Sequence, residues 1–163
     1  MCSVITLVDV DLSLPEHARA VLELISRYAR DPMGSGEDLA PEVKAVLVQR
    51  LRERADYFGV LAFDGATPVA LINCFEGFST FMARPLMNVH DVYVESAYRG
   101  QGLSRRLLQR VEDVSRLRGC GKLTLEVLEG NAAAIASYRR FGFETYALDP
   151  AHGRAQFWQK VLL

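Results

Sequence analysis

Apolar and polar positions alternate along the chain with two periods, and the change from one period to the other marks the elements. Ser3 to Val10 reads as a first strand. Ser13-Leu14-Pro15-Glu16 opens a helix, with serine as cap, proline early and an acid in the first turn; Ala18, Val21, Leu22, Ile25 and Tyr28 mark its inward stripe. Asp31 to Gly36 is a loop. Pro41 starts a second helix running to about Ala55, with Val43, Val46, Leu47 and Leu51 inward and a charged opposite face. Phe58 to Phe63 and Val69 to Phe75 are strands joined by the hairpin signal Asp64 to Pro68. Glu76 to Pro85 is less regular. Its aromatics Phe75, Phe78 and Phe81 serve either as core or as a pocket wall.

Asn88 to Glu95 alternates again and reads as a central strand. On that alternation His90, Val92 and Val94 share one side, and Asp91, Tyr93 and Glu95 the other. Arg99-Gly-Gln-Gly-Leu-Ser104 follows, and then Leu103, Leu107, Leu108, Val111, Val114 and Leu117 recur at helical spacing. Leu123 to Val127 is a further strand, Glu129-Gly130 a turn, and Asn131 an N-cap for a helix from Ala132 to Arg140 that Gly142-Phe143 ends. Thr145 to Leu148 and Ala155 to Val161 read as closing strands around a turn at Asp149 to Gly153. The order β, α, α, β, β, β, α, β, α, β, β predicts a mixed sheet with helices on both faces.

Size and charge narrow the class. With 163 residues, 50% of them hydrophobic, the chain is expected to form one domain, residues 1–163, with a substantial core. A net charge of -1 and the lack of a basic block argue against a nucleic-acid partner. Cys2, Cys74 and Cys120 are scattered without metal-ligand spacing, so no metal is expected. The first residues carry no basic region and no long apolar run. Neither a signal peptide nor a membrane span is expected, and a cytoplasmic location is the default.

The strand–glycine–helix passage carries the first candidate chemistry. The opening turn of a helix leaves backbone N–H groups without partners at the positive end of the macrodipole. Gly100 and Gly102 let a bulky anion approach them, and Arg99 adds charge. Taken alone, an isolated Gly-x-Gly reads rather as an ordinary strain-relieving turn. It lacks the Lys-Ser/Thr of a P-loop, and Arg105 stands where a dinucleotide fingerprint has its third glycine.

What it does match is Arg/Gln-x-x-Gly-x-Gly/Ala, with Arg99, Gly102 and Ser104 in the three slots and serine a departure in the last. Asn131 to Phe143 matches Asn-x6-Tyr-x-x-x-Gly-Phe. From about Asn88 to Phe143 the chain therefore resembles the GCN5-related N-acetyltransferases, nearest in spacing to the spermidine/thialysine-type branch. The resemblance implies an α/β fold of GNAT type: a mixed, mostly antiparallel central sheet of six to seven strands, with helices on both faces. It implies acetyl-CoA as acyl donor and the primary amine of a small molecule as acceptor. A non-catalytic acyl-CoA sensor on the same fold, or an unrelated phosphate-binding α/β protein, are the rival expectations. The family analogy allows a homodimer, and no sequence feature specifies one.

The resemblance also implies roles. The carrier would lie along Val92, Tyr93 and Val94, with a backbone N–H, that of Val94, meeting the thioester carbonyl. Its diphosphate would sit at Arg99, Gly100, Gln101, Gly102, Leu103, Ser104 and Arg105, and Asn131 would bond the carrier while also capping its helix. Tyr138 falls on the family's tyrosine slot as the acid for the leaving thiolate, since a phenol stays protonated at neutral pH. Among Ile135, Phe141 and Phe143 it is also placed to be a core aromatic. His90, where the branch often has glutamate, is the candidate base, because an imidazole accepts protons near neutral pH. A strand histidine bonded to backbone is the plainer alternative, and Asp91 is the second candidate. Glu37 and Asp38, in the loop between the first two helices, would favour a cationic acceptor such as a polyamine, diamine or amino acid, or would begin the second helix. Phe78 and Asp91 complete the candidate acceptor wall. Absence of cysteine from both signatures predicts direct attack without an acyl-enzyme.

Overall fold

A computed structural model describes residues 4–146, 149, 151, 153 and 155–162. They fall into two compact units, Met1–Leu125 and Glu126–Leu163. The first contains β1 (Ile5–Asp9), α1 (Pro15–Arg30), α2 (Pro41–Arg52), β2 (Tyr57–Asp64), β3 (Thr67–Ser79), β4 (Arg84–Val94), a 3-10 turn (Ser96–Tyr98), α3 (Leu103–Leu117) and β5 (Leu123–Leu125). The strands form one sheet in the order β1-β2-β3-β4-β5. Neighbours are antiparallel except β4 and β5, which run parallel.

The sheet buries both faces. On one, Leu61, Leu71 and Tyr93 meet Ala20, Val21 and Leu24 of α1 and Leu51 of α2. α3 packs on the same strands and buries Leu103, Leu107, Leu108, Val111 and Val114. Each fully buried leucine contributes about 1.5–3 kcal/mol relative to exposure. Strands covered on both sides read as continuous apolar runs, as Val-Leu-Ala in β2 and Val-Ala-Leu-Ile in β3 do.

Several sequence expectations change. The sheet has five strands among the described residues, not six to seven. Ala147 and Leu148, in the first expected closing strand, lie outside the described residues; Thr145 and Tyr146 are not in a strand, and neither is any residue of Ala155 to Val161. Alternation states a preference, but a strand also needs a neighbour to take its N–H and C=O groups. Cys2, Ser3 and His152 also fall outside the described residues.

Leu14, not Ser13, caps α1, because the Ser13 hydroxyl instead donates to Asp11 at 2.6 Å. The α1 stripe is turned toward Ala20, Val21 and Leu24, with Ile25 and Tyr28 at its margin; Ala18 and Leu22 are only half-buried. α2 stops at Arg52 and points Leu47, Val48 and Leu51 inward, leaving Val43 and Val46 exposed. Leu117, at the last turn of α3, is exposed too.

The segment Glu76 to Pro85 is regular after all. β3 and β4 continue through Glu76↔Met87 to Ser79↔Arg84 as a long hairpin, and Ala83 at its tip adopts a positive φ of 49°. The three aromatics separate: Phe75 packs on the core, while Phe78 and Phe81 are exposed. In the second unit α4 (Ala132–Phe141) begins at Asn131, whose Oδ1 accepts the Ala134 N–H at 3.1 Å, and ends at Gly142 with φ 113°.

Candidate functional site

β4 changes character in its middle. Cys74 pairs with Val89 and Asn73 with Asp91, so His90 is an extra residue, a β-bulge, with no opposite number on β3. Directly paired residues share a face of the sheet. Met87, Val89, Val92 and Val94 therefore lie with Cys74, Ile72 and Ala70, and Asn88, Asp91 and Tyr93 with Phe75, Asn73 and Leu71. The His90 ring meets the Phe75 ring edge-on at 5.4 Å between centroids. His90 thus stands on the Asp91 face, not with Val92 and Val94. The expected alternation fails because the bulge adds one residue to the count. The two candidate bases come to the same side, and His90 is exposed.

The bulge also ends a pairing. β5 accompanies β4 only at Met87, Asn88 and Val89. Beyond it the Glu95 N–H donates to Val69 O at 2.9 Å, toward β3. N–H and C=O groups alternate sides along an antiparallel strand, so those of Val92 and Val94 point away from β3, to an edge that β5 does not cover. The Val94 carbonyl on this edge accepts Arg99 Nε at 2.9 Å.

The glycine turn follows directly. Gly100 and Gly102 adopt φ of 74° and 77°, a left-handed conformation that favours glycine, and a Cβ on either would meet nothing within 4 Å. Gly102 is the N-cap of α3 and offers no side-chain oxygen to its first amides. Leu103 is buried and Tyr93 packs in the core against Tyr28, so both can address a ligand only through backbone atoms. The Gln101 side chain turns back to Ala97 O at 3.1 Å.

The two arginines of the turn differ. Arg99 is engaged: besides Val94 O it donates to Asp31 at 2.7 Å and lies over the Tyr93 ring. That guanidinium, with the Met33 amide, holds the Asp31 carboxyl below the usual carboxylate range. Arg105 is exposed, in the first turn of α3, and among the described residues pairs with no acid. Asp31 was not anticipated as a partner of the turn; its position after α1 gives no local signal of it.

On the Asp91 face the structure assembles a polar chain that alternation alone did not single out. Tyr57 Oη donates to Asn73 Oδ1 at 2.9 Å, and Asn73 Nδ2 donates to Asp91 Oδ2 at 3.0 Å. Asn73 is 1% exposed. Burial raises the Tyr57 phenol and pushes the Cys74 thiol up to about 12, so both stay protonated. Burial together with the Asp91 and Asp31 charges raises Tyr28. An asparagine inside the apolar run of β3 was the available signal.

The remaining candidates are placed apart. Asp38 is spoken for by Lys44 at 2.7 Å, which keeps its carboxyl low, and Glu37 is exposed. Neither is in α2, which starts at Pro41. Phe78 is 64% exposed on the β3–β4 hairpin. Tyr138 belongs to the second unit, half-buried in α4 and edge-on to Phe143 at 5.9 Å. Among the described residues no helix is long and apolar enough to cross a membrane.

Comparison with known proteins gives this geometry a family. Residues 19–143 match the Acetyltransferase (GNAT) family. A stretch of 65 residues is 43% identical to streptothricin acetyltransferase of Streptomyces lavendulae, 40% of this chain and 34% of that protein. The chain thus spans about a third of that relative's length. Over 130 residues, 76% of this chain and 75% of the other, it is 25% identical to thialysine N-epsilon-acetyltransferase of Caenorhabditis elegans. Aminoglycoside N-acetyltransferase AAC(6')-Iy, solved in complex with CoA, superposes with a TM-score of 0.76, covering 98% of this chain and 97% of that one. At 12% identity this last likeness concerns the fold.

Proposed function

The chain belongs to the Acetyltransferase (GNAT) family, and on that premise we propose that it acetylates a primary amine of a small molecule with acetyl-CoA. The observation that carries this is the second half of β4: an edge free of β5 that runs straight into the left-handed glycines at the start of α3. An extended amide-bearing arm can add to such an edge as a further strand would. A diphosphate suits the opening amides of α3, with Arg105, which pairs with no acid among the described residues, as a cation beside them. Arg99 serves better as a strut, since Asp31 already balances its charge.

Acetyl-CoA supplies an activated acetyl group held as a thioester. The chain's own tasks are to orient it, stabilise the oxyanion and move two protons. The outward N–H of Val94 is the donor for the oxyanion, a contribution typically worth about 3 kcal/mol. His90 takes the proton of the amine from the Asp91 face; for the leaving sulfur, Tyr138 on the family's tyrosine slot is the candidate acid. Asp91, with no cationic partner among the described residues, favours an acceptor bearing positive charge, such as a polyamine, diamine or amino acid.

The test is release of free CoA with a panel of polyamines, diamines, amino acids and aminoglycosides. Turnover of one cationic class supports the proposal. Acetyl-CoA binding without turnover of any amine would favour a sensor, and no binding would remove both.

A further inference from the structure

The Tyr57–Asn73–Asp91 chain crosses three strands, and its construction is specific. Asn73 faces Gly59 on β2 and Asp91 on β4. Tyr57, two residues before Gly59, shares its face and leans over it to reach Asn73. A Cβ on Gly59 would stand 2.6 Å from Tyr57 Oη and 2.9 Å from a Val10 methyl. The glycine is therefore the space the hydroxyl occupies. Gly59, Tyr57 and Asn73 together form a buried bracket whose open end is the Asp91 carboxylate.

Every bond in the bracket points one way. The tyrosine hydroxyl donates to the amide oxygen, which leaves the amide N–H₂ to donate to the carboxylate. Flipping the amide would set its oxygen against Asp91 Oδ2, so ionised Asp91 and the Tyr57 proton select one orientation. Chained donors polarise one another and stabilise the charged end. Asn73 also sits at the bulge, where the ladder is interrupted and Asp91 would otherwise be loosely fixed.

We propose that Asn73 and Tyr57 are positioning residues for the acceptor: they fix the aim of the Asp91 carboxylate on the face that His90 shares, where it anchors a cationic amine. The anchoring half rests on the acetyltransferase assignment; the bracket itself does not. The charge of Asp91 acts on Tyr28 of α1, Tyr57 of β2 and Cys74 of β3, Asp31 acts on Tyr28 as well, and His90 precedes Asp91 on β4. Tyr28, Tyr57 and Cys74 are neutral, so the Asn73 N–H₂ is the donor that fixes the carboxylate.

Two measurements separate the claims. The first follows the Asn73 side-chain N–H₂ by 15N NMR in the wild type and Tyr57→Phe, which needs no substrate. An amide whose oxygen accepts from Tyr57 and whose N–H₂ donates to Asp91 is held in one orientation, so its protons should exchange slowly in the wild type and faster in Tyr57→Phe. An unmoved Asn73 signal in Tyr57→Phe, which deletes one oxygen and keeps the ring, overturns the bracket. The second measures steady-state kinetics with an accepted amine. In Asn73→Leu the KM for the amine should rise about tenfold, as for loss of one bond to a charged group, with the KM for acetyl-CoA unchanged. Equal changes in both KM values, or none, overturn the anchoring role. A wild type that turns over no amine fails the acetyltransferase assignment, and the Asn73 amide exchange still decides the bracket.

Discussion

The two halves of β4 are one strand by backbone geometry and two by their surroundings. Arg84 to Val89 is paired on both edges, with β3 along its length and with β5 at Met87 to Val89. His90 to Val94 keeps β3 and loses β5. The first half is scaffold; Met87 and Val89 are 0% and 2% exposed. The second half presents backbone groups, an imidazole and a carboxylate. One inserted residue separates them. A single bulge can thus free an edge and re-aim two side chains without breaking the sheet.

The sharpest way to break this contrast is to remove the chemistry and keep the backbone. Tyr138→Phe should lower kcat by about 100-fold, the loss expected for a general acid, with little change in acetyl-CoA affinity. Equal turnover would take Tyr138 out of the mechanism. Deleting His90 addresses the bulge itself. Every cross-strand pair between β3 and β4 survives the deletion on paper, because His90 has no opposite number. The shortened chain should fold, with a melting temperature near the wild type, and lose about 100-fold in kcat/KM. If it unfolds, His90→Gln keeps the length, and the same loss should appear in kinetics.

Smaller effects sharpen the boundary between strand and turn. Gly102→Val places a β-branched residue at φ 77°, at a strain of roughly 1–2 kcal/mol or more. Calorimetry should then find acetyl-CoA bound about tenfold more weakly. Smallest is the Asp31–Arg99 pair. Its carboxyl is held low when folded, so it contributes stability above the unfolded carboxyl value of about 3.9 and loses it as pH falls toward the folded value. Asp31→Asn should therefore melt slightly lower than the wild type at pH 7. The gap should close in acid, as thermal melts at several pH values would register. A gap that widens in acid would contradict the assignment.

How much of this was legible in the sequence follows from where local rules apply. β-Branched runs and helical spacing placed β2, β3, β4, α1, α2 and α3, because burial dictates those patterns. The glycines at 100 and 102 stood out because a left-handed backbone favours them. The face of His90 was not legible: a bulge depends on what the neighbouring strand does, and counting by two is wrong past it. Asp31 reaching Arg99 across 68 residues is likewise a tertiary fact. Asn73 was visible as a polar residue in an apolar run, but its partners Tyr57 and Asp91 are joined to it only by register. Alternation at Ala155 to Val161 looked like a strand, yet the described residues there pair with none.

The most direct test concerns the freed edge of β4. Hydrogen–deuterium exchange resolved to single amides should be recorded with and without acetyl-CoA. The outward amides of Val92 and Val94, and those opening α3 at Leu103 and Arg105, should slow on binding, while Tyr93, facing β3, changes little. Binding that protects none of these amides, or protects Tyr93 as strongly as Val94, would show that the carrier does not lie along this strand.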